Sequence, residues 1–267
     1  MTNADAPGPT PEQSSNPGVD GTAAPPSPSP SPTGPGLSRR VGHALLEWAK
    51  SVSLALLLFL VLRAFLVEAF KIPSGSMEGT LLVGDFLLVN KLVYGAEVPF
   101  TGKRLPAFRH PQNGDILVFQ WPEDPTKNFV KRLVGVPGDT VGMENGTLVR
   151  NGTKLVESYT RHLEPNYDPV GDEFYWQRGF LVPKAKAAAS YHPSRNNWGP
   201  IIVPQHHLFV LGDNRDNSLD SRYWGFVPDS LVRGRPLFVY FSYVPDSSTA
   251  LDWLTHIRWK RLGARPH

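Results

Sequence analysis

The chain contains no cysteine. Disulfides, thiolate nucleophiles and thiolate metal sites are excluded, and the protein can work in an oxidising compartment without thiol side reactions. Excess charge is scarce too: the formal net charge is +3, with charged residues at 19%. That excess is too small to argue for nucleic acid, and no basic run alternates with aromatics in a stacking pattern. No G-x-S-x-G elbow accompanies the histidines, so a Ser/His/Asp triad has no support. No S-x-x-K motif exists, which argues against penicillin-binding chemistry. His206 and His207 are adjacent, so in a strand they point to opposite faces and chelate poorly. No metal and no cofactor is expected.

What is present divides the chain unevenly. Residues 1–40 form a Pro/Gly/Ser-rich tail with almost no large apolar side chains before residue 37. Such a segment cannot bury enough surface to offset its ordering entropy and is expected to be disordered. Pro25 to Pro32, alternating Pro and Ser after Pro26, favours extended polyproline-like conformations. A hydrophobic segment follows over 45–70, with its apolar heart from Val52 to Leu62. From about Trp48 to Phe70 it reaches the roughly 20 residues that a helix needs to cross a bilayer. Arg39, Arg40 and Lys50 precede it, so the positive-inside rule leaves the N-terminus in the cytoplasm. Trp48 suits the inner interface. Arg63 is the awkward residue, with Glu68 as its expected neutralising partner and the outer interface within snorkelling reach. A cleavable signal peptide is the competing reading, but Val67-Glu68-Ala69 makes a poor cleavage site.

Residues 71–245 are long enough for one sizeable core and turn to strand patterns. Leu81–Val83, Phe86–Val89, Ile116–Phe119, Phe129–Val130 and Leu208–Leu211 are short apolar runs bounded by Gly, Pro, Asp or Asn. Asn145-Gly146 and Asn151-Gly152 fit two-residue hairpin turns, which predicts a meander near 140–156. Both Asn-Gly-Thr triplets also match glycosylation sites, but hairpin turns explain them without further assumptions. No long amphipathic helix is expected after residue 71. Residues 157–200 are irregular and aromatic and read as an inserted subdomain. Residues 246–267 read as a basic tail, in which Trp253, Arg258, Trp259, Lys260 and Arg261 suit either anionic lipid or plain solvent.

Two polar side chains in this part carry candidate chemistry. Ser76 sits in Ile72-Pro73-Ser74-Gly75-Ser76-Met77, six residues past the hydrophobic segment. An extended chain therefore keeps it within about 20 Å of the membrane core. A serine hydroxyl is a weak nucleophile until a base takes its proton. Lys131 can be that base only if its amine is neutral, which burial in an apolar site favours. Strand alternation puts Lys131 on the face that carries Phe129 and Leu133. Each residue alone also fits an ordinary loop or surface position.

Three segments in order resemble the bacterial type I signal peptidases, the membrane-bound Ser/Lys leader peptidase family, of the single-span type. They are Ile72 to Leu81, Lys131 to Asp139, and Gly212 to Gly225, the last reading Gly-Asp-Asn-Arg-Asp-Asn-Ser-Leu-Asp-Ser-Arg-Tyr-Trp-Gly. Gly114 to Phe119 resembles the strand that the family carries between the first two. The resemblance spans roughly 45–245.

It implies a mainly β fold: an antiparallel β-sheet catalytic domain of signal-peptidase type with a small inserted subdomain, preceded by one transmembrane helix. It also implies a serine endopeptidase that removes signal peptides from exported preproteins through an acyl-enzyme. Ser76 would be the nucleophile and Lys131 the general base. Ser74 and the Ser76 N–H would form the oxyanion hole, and Ser218 would orient the lysine. Asp220 and Arg222 would pair behind it, with Asp213 and Arg215 giving similar support. The expected partners are signal peptides, the lipid bilayer and the secretion machinery, with no nucleic acid. The expected location is the cell membrane, single-pass, with the catalytic domain extracytoplasmic. Substrate would add as a strand along Ile116–Phe119 or Phe70–Ser74. Gly79 departs from the family, which often has proline there, and is expected to loosen the turn. A peptidase dedicated to one substrate and an inactive binding domain are the alternatives; the intact Ser76, Lys131 and Ser218 argue against the second.

Overall fold

The computed structural model describes residues 37–99, 101–186, 190–245 and 252–267. The expected disordered tail lies outside the described residues as far as residue 36, as does the start of the expected basic tail, 246–251. The chain forms two units, residues 1–51 and 52–267. Helix α1 spans Leu37–Val61, and residues 62–66 add a wider π-type turn. Val41–Leu66 is long and apolar enough to cross a membrane, with a mean hydropathy of 2.0 and none of it buried against protein.

The helical stretch stops short of the expected Phe70. Val67–Lys71 is instead an extended strand, β1, that pairs antiparallel with β2, Asp85–Asn90. Tertiary pairing overrides the apolar run here: Phe70 packs on the buried cluster of Ile72, Leu87 and Val89, which a further helical turn could not reach. Two consequences follow. Arg63 falls in the last turn of the segment, and Glu68 is drawn into the sheet, where it meets Lys91 at 3.5 Å rather than Arg63.

The remaining strands are β3 (Ile116–Trp121), β4 (Asp124–Gly135), β5 (Thr140–Glu144), β6 (Thr147–Arg150), β7 (Thr153–Lys154), β8 (Trp198–Ile202), β9 (His207–Leu211), β10 (Val227–Pro228) and β11 (Val232–Ser242). Seven form one sheet in the order β1-β2-β11-β3-β4-β9-β10, and four form a second in the order β7-β6-β5-β8. Every pairing is antiparallel. The expected hairpins stand: Asn145 and Asn151 both have positive φ, followed by positive-φ glycines, as two-residue turns of this kind demand. Leu81–Val83 is not a strand. Leu81 closes a turn, its N–H donating to the Met77 carbonyl, and its side chain is buried in the core.

Residues 157–200 do not stand apart as a subdomain. Their last strand, β8, completes the second sheet, and Trp198 shares a buried cluster with Val141, Met143 and Leu148 of the hairpins. The described part of the basic tail is likewise built into the fold. Gly263 and Ala264 exchange backbone hydrogen bonds with Val239 of β11, and Ile257 bridges Tyr243. Arg258 donates to the Val83 carbonyl, and Arg261 bonds Asp85, which has no exposed surface. These two arginines are therefore taken up by protein, leaving Trp259 and Lys260 exposed.

Arg261→Ala strands the buried Asp85 carboxylate with only the Ser242 hydroxyl and the Leu82 N–H as donors. A loss of about 2 kcal/mol is expected, seen as a melting point lower by about 4–8 °C. Lys260→Ala should leave it unchanged.

Candidate active site

The first segment singled out in the sequence leaves β1 and turns sharply. Gly75–Met77 is a single 3₁₀ turn, with Ile72 and Met77 buried on either side of Ser76. These two apolar anchors fix the turn to the core under β1 and β2. Lys131 arrives from β4, which sheet pairing holds opposite Leu117 of β3. The two side chains, 55 positions apart, meet with Lys131 Nζ 2.6 Å from Ser76 Oγ. Both are buried, Ser76 to 8% exposure and Lys131 to 4%.

Burial pushes the Lys131 amine down from 10.5 to about 8. Desolvation is the largest cause; Asp220 and Asp213 pull upwards and Arg222 downwards. The amine also lies 5.4 Å from the centre of the Phe129 ring. A ring face favours the cation by about 0.5–1 kcal/mol, too little to reverse the desolvation of a buried ammonium.

Behind the pair is a shell of buried charges. Asp220 and Arg222 form an ion pair at 2.8 Å with both side chains wholly buried. Asp213 and Arg215 do not pair with each other. Asp213 takes two hydrogen bonds from Arg132, Nε and Nη2, at 2.7 Å each, and Arg215 meets Glu157 at 2.8 Å. Arg132 also donates to the Gly114 carbonyl, and Thr80 donates to Asp213 at 2.6 Å. Arg132, next to Lys131 in sequence, thus ties β4 through Asp213 to the nucleophile turn. Asn214 holds that turn directly: its backbone N–H donates to Ser76 O at 3.1 Å and its side chain to Gly75 O at 3.2 Å. Sequence reasoning gave no role to Arg132, Thr80, Asn214 or Glu157. The first three lie within the quoted segments, but their partners are distant in sequence.

Ser74 is exposed, its hydroxyl 3.5 Å from Ser76 Oγ. Ser218 is buried, and its hydroxyl makes no hydrogen bond to Lys131. It reaches the centre by a different route. A Cβ on Gly212 would lie 2.2 Å from Ser218 Oγ and 2.5 Å from Ser76 O. Ser218 and the nucleophile turn therefore converge on a position that only glycine leaves open. Gly79 has φ of +116°, so the departure noted in the sequence is more than a loosened turn. Proline, fixed near −65°, could not adopt this backbone.

A cavity of about 420 Å³ opens onto Ser76 and Lys131, bounded by Phe70 to Met77 on one side and Asn128 to Lys131 on the other. One expected substrate edge therefore needs correction. β3 lies in the middle of the sheet between β11 and β4, so Ile116–Phe119 is no edge. The outer edge of β4 takes that place: β9 pairs with it only from Arg132 onwards.

Residues 45–241 match the family model of signal peptidase, peptidase S26. The chain belongs to that family. It is 40% identical over 210 residues to Signal peptidase I of Pseudomonas fluorescens, covering 74% of this chain and 73% of that one. It is also 40% identical over 215 residues to Signal peptidase I of Pseudomonas aeruginosa, covering 76% and 74%. Signal peptidase I of Aquifex aeolicus is 31% identical over 249 residues, covering 80% and 93%. The mainly antiparallel β fold and the apolar helix accord with the family membership that the sequence suggested.

Two outcomes test this geometry. Gly212→Ala should force Ser218 and the Ser76 turn apart and lower kcat about a hundredfold with the protein still folded. Lys131→Met should abolish activity yet stabilise the protein by about 3 kcal/mol at pH 7. The sign follows from the depressed folded value: the wild type bears the cost of a neutral or desolvated amine fully below about 8, and loses it as pH rises to the ordinary 10.5. The difference in melting point between the two proteins should shrink over that window.

Proposed function

We propose that this protein is a membrane-bound serine endopeptidase that removes N-terminal signal peptides from exported preproteins, with Ser76 as nucleophile and Lys131 as general base. The observation that carries the reading is the 2.6 Å contact between a buried lysine amine and a serine hydroxyl at the edge of an open groove. Family membership supplies the reaction class, and the shared name of the relatives supplies the substrate.

The neutral Lys131 amine takes the Ser76 proton as Oγ attacks the scissile carbonyl. The oxyanion falls within reach of the Ser74 hydroxyl and the Ser76 N–H, donors that are worth about 3–4 kcal/mol each where they act on developing charge. Lys131 then returns the proton to the leaving amine, the N-terminus of the mature protein. The signal peptide stays as an ester on Ser76 until water, deprotonated by the same amine, releases it. Ser218 abuts the Ser76 turn across Gly212 and so acts on the dyad through that turn rather than by a hydrogen bond to the lysine, and Asp213, Arg215, Asp220 and Arg222 hold the shell behind it.

Strand direction supports a substrate lying in the groove. The pairings β1-β2-β11-β3-β4 are all antiparallel, so β1 and β4 run the same way, both towards the catalytic pair. A signal peptide leaving the bilayer beside α1 travels in that direction too and can add to the free edges of both. Val41–Leu66 spans the membrane once, with residues 1–40 cytoplasmic and 71–267 outside, because Arg39 and Arg40 precede the span and Lys50 lies in its first half, ahead of the apolar heart from Val52 to Leu62. The exposed Trp259 and Lys260 suit a lipid surface beside it, and the secretion machinery delivers the substrate.

The test is cleavage of a preprotein with an Ala-x-Ala site by the purified protein in detergent, mapped by mass spectrometry, with Ser76→Ala as control. A single cut after the second Ala, absent in the control, is expected. Because the amine must be neutral, kcat/KM should rise about tenfold per pH unit up to about 8 and then level off. A rate flat from pH 6 to 9 would exclude Lys131 as the base.

A further inference from the structure

The catalytic groove does not end at Asn128. That residue also borders a second cavity, of about 280 Å³, lined by Ala64, Glu68, Lys91, Glu97, Gln120 and Arg233 among others. The two cavities occupy successive stretches of one gap. In each, one wall comes from the β1 side (Phe70 and Ile72, then Glu68 and Ala64) and the other reaches Asn128 of β4. The second cavity therefore lies on the anchor side of the catalytic pair, upstream along both strands.

Its chemistry differs from that of the first. Glu68 pairs with Lys91 at 3.5 Å, and Arg233 pairs with Glu97. Gln120 and Asn128 face each other across β3 and β4 and add amide groups. The charges balance, donors and acceptors are both abundant, and Lys91 and Arg233 are largely covered. An uncharged polar peptide can hydrogen-bond here without disturbing either pair. Apolar side chains would strip water from two ion pairs and return nothing.

We infer that this cavity is a polar collar that reads the substrate just ahead of the cleavage site and rejects apolar residues there, so that the apolar helix of a signal peptide must end before the groove. The inference rests on the groove assignment proposed above. Asn128, the boundary between the two cavities, is three residues before Lys131, a strand rise of about 10 Å, so the collar begins about four residues ahead of the cut and the next residues upstream, about five to seven ahead, fall within it. The distance from the apolar segment to the scissile bond is thereby set by the protein and not by the bilayer alone.

Three peptides test it on the purified full chain in detergent. One begins four residues before the cut. The other two extend it upstream with Ser-Gln-Ser or with Leu-Leu-Leu at positions five to seven. Each enzyme is referred to its own rate on the short peptide. The wild type should prefer the polar extension about tenfold in kcat/KM. The pair Glu97→Leu with Arg233→Leu should bring that ratio to within about twofold of unity, and Glu97→Gln with Arg233→Gln, which keeps the cavity polar, should retain it. An unchanged ratio in the Leu pair, or an equal loss in the Gln pair, would overturn the collar. If the Leu pair does not fold, seen as loss of short-peptide cleavage, Gln120→Leu repeats the test, and an unchanged ratio there overturns it equally. Failure of the wild type to cut even the short peptide would instead remove the peptidase reading, and the collar with it.

Discussion

A lysine amine can act as a base near neutral pH only if its ammonium is costly, and this structure is arranged around that cost. Desolvation of Lys131 is the largest influence on its titration, and it requires that every group around the amine either be apolar or have its charge matched. Phe129, Leu117 and Leu133 provide the apolar side as part of one buried cluster. The polar side is provided by residues that already have partners. The central strands β3 and β4, the longest stretch of antiparallel ladder near the site, hold the lysine so that it cannot swing out to water.

The sheet solves a second problem with the same strands. A protein that binds an extended peptide needs free strand edges, yet free edges invite unwanted pairing. Here the available edges are short. β1 offers the five residues Val67–Lys71 before the chain turns at Gly75, and β4 is free only before Arg132, where β9 takes over. Both are walls of a confined groove rather than open rims. The groove's two stretches, apolar at the catalytic pair and charge-matched upstream, arise because Glu68 and Phe70 share one face of β1 and carry different chemistry: Phe70 packs on the core cluster and Glu68 meets Lys91.

Much of this was legible from local pattern. The Asn-Gly turns gave the hairpins because positive φ at both central positions leaves few other residues possible. Phe86–Val89 and Leu208–Leu211 were readable as buried strands because apolar runs of that length between Asp, Asn and Gly have few other uses. Ser76 and Lys131 were found through motif order, and their contact adds the distance that order cannot contain. What escaped depended on partners far along the chain. Nothing near Ile116 says that β11 will come back to cover its free side, so a central strand passed for an edge. Nothing near Arg258 and Arg261 says that Val83 and Asp85 await them, so a structural clasp passed for a basic tail. Val67 to Phe70 extends the apolar run of the helix and gives no local sign that β2 will claim it. In each case tertiary pairing settled what propensity left open.

The ion pairs behind the site follow from the same constraint as the lysine. Asp220 and Asp213 both pull the amine towards its charged form, and an unpaired carboxylate beside Lys131 would stabilise the ammonium and undo the effect of burial. Each is occupied instead. Asp220 is held by Arg222, which itself pulls the amine the other way, and Asp213 is held at both oxygens by Arg132. The carboxylates can then fix the Ser76 turn and the backbone of Gly212 without holding the lysine in its charged form. Buried ion pairs contribute little net stability and are often replaceable by apolar side chains. Their value here is electrostatic neutrality with directional bonding, a combination that an apolar shell could not give to a turn whose carbonyls and N–H groups need partners. Replacing one member of such a pair therefore changes the proton affinity of Lys131 as well as the stability of the shell. Losing Arg222 raises the amine's affinity and losing Asp220 lowers it.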